Sequence, residues 1–487
     1  MKTRLLLAFF SLFFMTLAPM SFAENELTDH AELKEQLLEY MEVGKIPGLS
    51  LVFIDKQNNT HLITLGKKNE NLGENIKPET IFELGSTTKA FTGLIAAKLL
   101  EDGKIKPDTT VSAILPELVF YHDDQPVDVS FIQLLHHSSG IPFSSVDFIY
   151  GGDSSDSLAQ MIKNIGQINL EDRPDTRYSY ATINYDIAAR MMEVVTQQPY
   201  SKLLQDYVLT PMKMNDTSID PAVSNKATGY QISYLAPRPY DAPFFISNIP
   251  AGYIQTNAID MEKWLRFLID DNDSQLSRYK KQMLEPNTKL STNEGENVHY
   301  ALGWSINNGS IYHTGMNPNF SSFVGFNAQS HVAVAVMANA NSNAPFAIGE
   351  QILNQLSSGD NAIKLTSADD VEVFDTFDSL FLIVSVLLSL FLIWVALRIY
   401  QNIVNKSRRP LSEIKKFAVI ILVFFCLSLM LLCFSFPYVL LNMSWDSLII
   451  WMPASFILML ALFMSTLVMS LINLLVIFSK HISYAKK

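Results

Sequence analysis

The sequence predicts an α/β chain of the α+β type: an antiparallel sheet flanked by helices, an inserted helical region, and a C-terminal module of three transmembrane helices. Strand patterns occur near both ends of the first 356 residues, and helical patterns fill the middle. This arrangement favours an antiparallel sheet that is completed by distant parts of the chain. Residues 380–478 hold three apolar blocks, each longer than the roughly 20 residues that a bilayer requires.

The chain begins with the pattern of a secretory signal. Residues 1–4 are a short basic start, an apolar run continues to Met20, and a small-x-Ala cleavage site ends at Ala23. The apolar run is short for a membrane span, so a cleaved signal is favoured over a first anchor. We therefore expect a signal peptide at 1–23 and an exported domain at 24–356.

Within the exported domain, the first elements are a helix and two strands. Apolar residues at helical spacing predict an amphipathic helix at His30–Val43. Alternating and β-branched residues predict strands at Gly48–Ile54 and His61–Leu65, and a mostly helical, loop-rich region then extends to about Ser233. The late elements are strands at Tyr300–Ile306, Ser310–Tyr312, Phe320–Asn327 and His331–Met337, followed by a helix at Ala344–Leu356.

A polar, acidic linker at 357–379 is predicted to lead into the membrane module. The predicted spans are Leu380–Tyr400, Phe417–Leu441 and Ser447–Phe478. Basic residues lie between the first two spans, at 406–416, and after the third, at 479–487, whereas 442–446 has none. Because positive residues mark the cytoplasmic side, we expect the exported domain in the periplasm of a bacterium and the spans in its inner membrane, with 479–487 as a cytoplasmic tail.

Composition excludes several classes of function. The net charge is −12 and no basic cluster lies outside the membrane segments, which argues against a nucleic-acid partner. The two cysteines, Cys426 and Cys433, both fall in the second span, so the exported domain has no disulfide framework. No metal-ligand spacing is present, and we expect neither a metal nor a cofactor. His136 and His137 lie in a turn-like segment, where a structural role is favoured.

The segment around Ser86 is the first candidate for catalytic chemistry. Ser86 precedes a helical pattern, and Lys89 follows three residues later on the same face. Backbone N–H groups at a helix N-terminus favour developing negative charge, and a serine hydroxyl needs a neighbouring base to become a nucleophile. This spacing suits acyl transfer, but by itself it also fits an ordinary helix N-cap at Ser86.

Two later segments favour the catalytic interpretation. In order along the chain, Ser86/Lys89, Tyr180 and His313-Thr314-Gly315 resemble the three catalytic motifs of the serine β-lactamase and penicillin-binding-protein family, in its class C-like branch. The resemblance covers roughly 33–356 and implies a β-lactamase/transpeptidase-like fold. Supporting matches are Leu134-Leu135-His136-His137-Ser138-Ser139-Gly140, Pro211-Met212-Lys213-Met214 and Leu302-Gly303-Trp304.

The chain also resembles a subgroup of prodrug-activating peptidases from the colibactin, xenocoumacin and zwittermicin pathways. These are periplasmic enzymes with three C-terminal membrane helices that remove an N-acyl-D-asparagine cap from a nonribosomal peptide–polyketide prodrug. The shared segments begin at Glu83, at Ser179 and at Gly315. The resemblance implies maturation of an antibiotic or toxin during export, a form of self-resistance.

The resemblance also implies a mechanism. Tyr180, held as a phenolate by Lys89, takes the proton of Ser86 as Ser86 attacks the scissile carbonyl. The N–H groups of Ser86 and Met316 form the oxyanion hole. His313, Thr314 and Gly315 line the edge of the site, where the alternative is an edge strand with incidental polar residues.

A pocket for the D-Asn side chain maps by resemblance onto Glu83, Asn248 and Asn317. A carboxylate and carboxamides suit an amide that both donates and accepts hydrogen bonds. A structural carboxylate is the alternative role for Glu83, and Asn248 stands where the colibactin enzyme has a histidine. Thr182 stands where the broad family has an asparagine, which argues against β-lactam turnover because a substrate-orienting amide is missing.

The expected partners are a capped small-molecule prodrug and the lipid bilayer. A fatty acyl chain partitions into a membrane at about 0.8 kcal/mol per buried CH₂, so a tethered domain shares the surface of its substrate. A multidrug exporter in the same membrane and a second copy of the chain are further candidate partners. The alternative functions are a D,D-carboxypeptidase or β-lactamase, and a non-catalytic sensor that binds a ligand outside and signals through the helices.

Overall fold

The structure is a computed structural model that describes residues 30–149, 157–270, 272, 275–359, 363–368, 371, 375–404, 412–441 and 443–485. The predicted signal peptide and most of the basic loop between the first two spans lie outside the described residues.

Fifteen strands are present in the described part of the chain. They are β1 (Gly48–Ile54), β2 (Thr60–Asn69), β3 (Glu74–Asn75), β4 (Phe82–Glu83), β5 (Val119–His122), β6 (Gln125–Val127), β7 (Gln167–Asn169), β8 (Tyr230–Ser233), β9 (Ala236–Pro239), β10 (Gln255–Thr256), β11 (Val298–Tyr300), β12 (Ser305–Asn307), β13 (Ser310–Asn317), β14 (Phe320–Asn327) and β15 (Val332–Ala338).

The α-helices alternate with these strands and then form the C-terminal module. They are α1 (Ala31–Val43), α2 (Lys89–Glu101), α3 (Val111–Ile114), α4 (Phe131–Leu135), α5 (Ser157–Ile165), α6 (Ile183–Thr196), α7 (Tyr200–Leu204), α8 (Thr210–Met212), α9 (Ile249–Gly252), α10 (Ala258–Ile269), α11 (Gln275–Met283), α12 (Ala344–Ser358), α13 (Asp375–Val404), α14 (Glu413–Phe436), α15 (Trp445–Trp451) and α16 (Ala454–Ala485).

One eight-stranded antiparallel sheet organises the exported domain, in the order β11-β12-β13-β14-β15-β1-β2-β3. Strand β1, from the start of the chain, pairs with β15, which lies almost three hundred residues later, with Leu49 opposite Ala338. Both strands are buried along their whole length, so the sheet is covered on both faces. The prediction of a sheet closed by distant segments is confirmed.

Helices cover the two faces. On one face, α1 and α12 bury apolar side chains such as Leu37 and Ile352 against the sheet. On the other face, α10 and the inserted helical region enclose α2, where the rings of Phe91 and Trp264 stack with centroids 4.2 Å apart. Helix α2 is therefore buried in the larger core, which fixes the position of its first turn.

The predicted strand Tyr300–Ile306 is divided into β11 and β12. Gly303, between them, has φ +87°, and the N–H of Ala301 donates to the carbonyl of Trp304 in a tight turn. A Cβ on Gly303 would approach the carbonyl oxygen of Lys89 to 2.5 Å. The break in the strand thus lets the sheet edge pack directly against the start of α2. Strands β2 and β13 extend further than predicted.

Among the described residues, three helices are long and apolar enough to cross a membrane, at Phe377–Val404, Ile414–Val439 and Ala454–Phe478. The predicted third span, Ser447–Phe478, is wrong at its start, because a separate helix α15 precedes α16. Met452, between them, has an extended backbone with ψ 142°. Its neighbour Pro453 disfavours helical dihedrals at the preceding residue, so the apolar block is interrupted there.

Candidate active site

The Ser86 turn lies where α2 meets strand β13. A 3₁₀ turn at Gly85–Thr88 runs directly into α2, so Ser86 occupies the start of a helical segment, as predicted. Gly85 has φ +56°, and a Cβ there would lie 2.5 Å from the backbone nitrogen of Met316. A Cβ on Gly315 would lie 2.1 Å from the carbonyl oxygen of Leu84. The two glycines therefore let the nucleophile turn and the strand touch backbone to backbone.

Ser86, Lys89 and Tyr180 converge on one atom, the Ser86 hydroxyl oxygen. Nζ of Lys89 donates to Ser86 Oγ at 3.1 Å, and Oη of Tyr180 lies 2.9 Å from the same oxygen. Lys89 is buried although it carries an ammonium group. A hydroxyl held between a phenol and an ammonium has the contacts that nucleophilic catalysis by serine requires.

Lys89 is fixed by two further acceptors. Its Nζ donates to the Thr182 hydroxyl at 3.1 Å and to the carbonyl oxygen of Ala251 at 2.8 Å. It also lies 5.1 Å from the centroid of the Tyr180 ring. Thr182, the residue that departs from the broad family's asparagine, thus holds the ammonium in place.

Tyr180 is one of four tyrosines near the nucleophile. Burial raises the pKa of Tyr178, Tyr185 and Tyr300 well above the ordinary value, so these phenols stay neutral at physiological pH. Tyr180 lines the open cleft, and of these four tyrosines it is the one whose hydroxyl lies within hydrogen-bond distance of Ser86 Oγ. Its position is that of the predicted general base.

The imidazole of His313 is buried and neutral. Burial, with the Lys89 ammonium nearby, lowers the pKa of His313 to about 3. Its Nδ1 lies 2.5 Å from the Thr314 carbonyl oxygen and must donate to it, so Nε2 accepts from the Tyr300 hydroxyl at 2.8 Å. His313 therefore supplies shape and a fixed hydrogen-bond network at the site edge, and no positive charge.

An open cleft of about 460 Å³ lies over the nucleophile. Thr314 and Met316 form its strand side, and the predicted oxyanion donors, the N–H groups of Ser86 and Met316, belong to residues that line it. The cleft is also lined by 292–294 and Phe346. The cleft is large enough for a drug-sized substrate.

The three predicted pocket residues lie together beside this cleft. Asn317, at the end of β13, donates from Nδ2 to Glu83 Oε2 at 2.6 Å and to the Gly252 carbonyl oxygen at 3.1 Å. The neighbouring carbonyl, of Ala251, accepts from Lys89 Nζ. Two consecutive carbonyl groups of α9 thus bind Asn317 and Lys89. Because Lys89 also contacts Ser86, the three predicted pocket residues lie close to the Ser86 hydroxyl.

Glu83 forms an ion pair that the sequence did not indicate. Nζ of Lys226 lies 2.5 Å from Glu83 Oε1, and the Lys226 ammonium also faces the rings of Phe244 and Phe320. Only 5% of Glu83 is exposed. Because one carboxylate oxygen holds Lys226 and the other holds Asn317, Glu83 acts on any ligand mainly by orienting Asn317.

Asn248 contributes an unused acceptor. It is 8% exposed, and its Oδ1 has no hydrogen-bond partner among the described residues. Its Nδ2 lies 3.5 Å from the place where a Cβ on Gly252 would stand, and Asn317 Oδ1 lies 3.7 Å from that place. A buried acceptor without a partner is costly, so this oxygen is a natural contact for a ligand N–H group.

His137 is the site residue that sequence reasoning set aside as structural. Its backbone is left-handed, with φ +53°, which agrees with the predicted turn. Its fully buried ring also packs against Tyr180, with centroids 4.3 Å apart, and its Nδ1 lies 3.0 Å from Asn184 Nδ2. The imidazole therefore forms the wall behind the candidate base.

Asp186 lies buried behind Lys89 with neither carboxyl oxygen bonded to another described residue. Burial raises the pKa of Asp186 well above its usual value, so it is a neutral acid.

The described residues contain no group of three or more His, Cys, Asp or Glu side chains that could hold a metal ion.

Comparison with known proteins identifies the family. Residues 33–356 match the family described as Beta-lactamase. Protein flp of Staphylococcus aureus (strain MRSA252) is 27% identical over 457 residues, which cover 92% of this chain and 90% of that protein. The similarity therefore extends beyond the matched domain into the apolar helices.

Two other similarities concern penicillin-binding proteins. Penicillin-binding protein 4 of Amycolatopsis lactamdurans is 27% identical over 251 residues, covering 50% of this chain and 65% of that protein. The octameric penicillin-binding protein homologue from Pyrococcus abyssi superposes with a TM-score of 0.58 at 23% identity, covering 68% of this chain and 78% of that one. This structural similarity shows the β-lactamase/transpeptidase-like fold.

Proposed function

Because the chain belongs to the beta-lactamase family of serine hydrolases, we propose that it is a peptidase that removes an N-acyl-D-asparagine cap from a nonribosomal peptide–polyketide prodrug. Cleavage during export would activate the antibiotic or toxin outside the producing cell. The observation that carries the proposal is the buried cluster of Glu83, Asn248 and Asn317, which α9 links to Lys89 and so to the Ser86 hydroxyl.

The catalytic cycle starts with acylation. Ser86 Oγ attacks the carbonyl carbon of the D-Asn residue, and Tyr180 Oη accepts the proton that Ser86 loses. Lys89, donating to Ser86 Oγ, stabilises the negative charge on the reacting oxygens. The N–H groups of Ser86 and Met316 stabilise the oxyanion, and loss of one such donor typically costs about 10²–10³ in rate.

The leaving amine then takes the proton from Tyr180 as the C–N bond breaks. Water enters, Tyr180 removes one of its protons, and the resulting nucleophile attacks the ester on Ser86. The proton returns to Ser86 Oγ as N-acyl-D-asparagine departs. The same phenol thus acts as base and acid in both halves of the cycle.

The pocket suits the side-chain amide of asparagine. Asn248 Oδ1 offers an acceptor for the NH₂ group of the substrate side chain. Asn317 Nδ2 is held by Glu83 and the Gly252 carbonyl oxygen, so Asn317 offers its Oδ1 as a second acceptor. The open cleft of about 460 Å³ would hold the rest of the substrate. The asparagine side chain would therefore bind to Asn248 and Asn317, and the rest of the substrate would lie in the cleft, with Ser86 next to both.

A substrate comparison tests the proposal. Membranes containing the enzyme should hydrolyse N-myristoyl-D-Asn amide and leave an N-acyl-D-Ala-D-Ala peptide and a chromogenic cephalosporin largely intact. The second candidate, a D,D-carboxypeptidase or β-lactamase, is favoured by the similarity to penicillin-binding protein 4. Preferential cleavage of the D-Ala-D-Ala peptide or of the cephalosporin would support that candidate and exclude the proposed one.

We also place the catalytic domain in the periplasm, attached to the inner membrane. The three apolar helices and the distribution of basic residues support this orientation. A reporter active only in the periplasm should work when fused after Asp378 or within 442–446. It should be silent within 406–416 or after Lys487. The reversed pattern would put the active site in the cytoplasm and contradict cleavage during export.

A further inference from the structure

A short hairpin of the catalytic domain, β8–β9, rests on the membrane helices. The Ala454 N–H, at the start of α16, donates to Ser233 Oγ at 3.0 Å, and Gln231 and Tyr240 donate to the Ile450 carbonyl oxygen of α15. The N–H of Leu235 donates to Asp378 Oδ2, near the start of α13, at 2.5 Å. The hairpin therefore meets the ends of two membrane helices.

The tip of this hairpin has an unusual sequence for its geometry. Tyr234 and Leu235 form a two-residue turn with φ +54° and +61°, the left-handed conformation that usually selects Asn-Gly. Bulky residues in this region are strained. Both side chains are also partly exposed, at 40% and 44%, so the protein leaves much of their apolar surface uncovered.

The depth of the tip is set by its contacts. Asp378 lies at the polar end of the first apolar span, Phe377–Val404, and Ala454 begins the third, Ala454–Phe478. Tyr234 Oη donates to the Ala454 carbonyl oxygen at 3.3 Å. Tyrosine is enriched at bilayer interfaces, and the apolar side chain of Leu235 stands beside it at the level where the membrane helices begin.

The other end of the hairpin reaches the substrate pocket. The Tyr230 N–H donates to the carbonyl oxygens of Asn319 and Asn339, and Asn319 Nδ2 donates to the Tyr240 carbonyl oxygen. Asn319 follows the pocket residue Asn317 by two positions, in the turn between β13 and β14. One short element thus connects the polar ends of the spans to the specificity pocket.

We propose that Tyr234 and Leu235 insert into the interfacial layer of the bilayer, and that the β8–β9 hairpin thereby sets the height of the active site above the membrane. The inference rests on the proposed membrane location. It gives the exposed, strained tip a role, because the bilayer would bury side chains that the protein leaves open. A lipid-anchored substrate would then meet the pocket at a fixed height.

Depth measurement tests the insertion directly. Full-length protein with Cys426→Ala and Cys433→Ala is placed in liposomes, and a spin label is attached to Tyr234→Cys or Leu235→Cys. Both labels should be more accessible to oxygen than to a water-soluble nickel reagent. Lys104→Cys, an exposed position after α2, is the matched control and should show the opposite ratio. Water-like accessibility at 234 and 235 would overturn the proposal.

A paired substitution separates this role from folding. Tyr234→Asn with Leu235→Gly supplies the preferred turn residues, so thermal stability should stay the same or rise. Turnover of liposome-bound N-myristoyl-D-Asn amide should fall about tenfold, since apolar contact with the bilayer is lost. Turnover of soluble N-acetyl-D-Asn amide should be unchanged. An unchanged rate on the myristoyl substrate, or an equal loss on both, would contradict the height-setting role.

The two failures are distinguishable. If neither D-Asn amide is hydrolysed by the wild-type enzyme, the proposed function fails, whereas the spin-label depths still decide whether the tip enters the bilayer.

Discussion

Replacement of Ser86 by Ala, of Lys89 by Ala or of Tyr180 by Phe is expected to lower kcat by about 10⁴-fold or more. Each change removes one of the three groups that meet at the Ser86 hydroxyl oxygen. Groups that act as a unit are not additive, so the triple variant should lose little more than the worst single variant. Single-turnover and steady-state rates on one amide substrate would measure this.

As a control, each variant should be shown to fold like the wild-type protein. Tyr180→Phe removes only a hydroxyl oxygen, so circular dichroism and the thermal midpoint should stay near wild type. Tyr180→Phe is also the decisive variant, because Tyr178 and Tyr300 are too strongly held in the neutral form to replace it. A residual rate above about a tenth of wild type would mean that less than about 1.4 kcal/mol is missing, and Tyr180 would not be the base.

The Glu83→Ala variant is expected to lose most of a selectivity of about 10⁴ for D-Asn over D-Leu substrates. In the wild type, an apolar side chain would leave Asn248 Oδ1 buried without a partner, which is the origin of strong rejection. Without Glu83, Asn317 loses its orienting carboxylate and Lys226 loses its ion pair.

The matched control for this variant is Glu294→Ala. Glu294 also lines the cleft, and it accepts a hydrogen bond from the Tyr312 hydroxyl rather than from Asn317. It should keep the D-Asn preference. Neither variant should slow acylation by a small activated ester that never reaches the pocket. If Glu83→Ala slowed the ester as much as the D-Asn substrate, Glu83 would have a structural role only.

Much of the fold was predictable because its signals are local. The strand-forming residues of Gly48–Ile54 and Phe320–Asn327 predicted two strands of the central sheet with their observed bounds. Likewise, Ser86 and Lys89 are one helical turn apart, so their shared face follows from spacing alone. The break before α16 was missed because hydropathy dominates a long apolar run, although Pro453 marks the place.

The unpredicted parts of the site depend on long-range packing. Lys226 pairs with Glu83 across 143 residues, and nothing near Lys226 in sequence indicates that partner. His137 faces Tyr180 because the turn after α4 is held by Asn184 of α6. The β8–β9 hairpin could not be predicted for a different reason. Its turn consists of Tyr234 and Leu235, which are not among the residues that usually indicate a turn.

We propose that a buried pocket beside Ser86 selects an asparagine residue of D configuration. The most direct test is the ratio of kcat/KM for N-myristoyl-D-Asn amide and its D-Leu analogue, measured on one preparation of the full-length enzyme in liposomes. We expect a ratio of about 10⁴, with the L-Asn isomer also rejected. Equal values for D-Asn and D-Leu would contradict it, and would leave the chain as a serine hydrolase of the penicillin-recognising family without the proposed specificity.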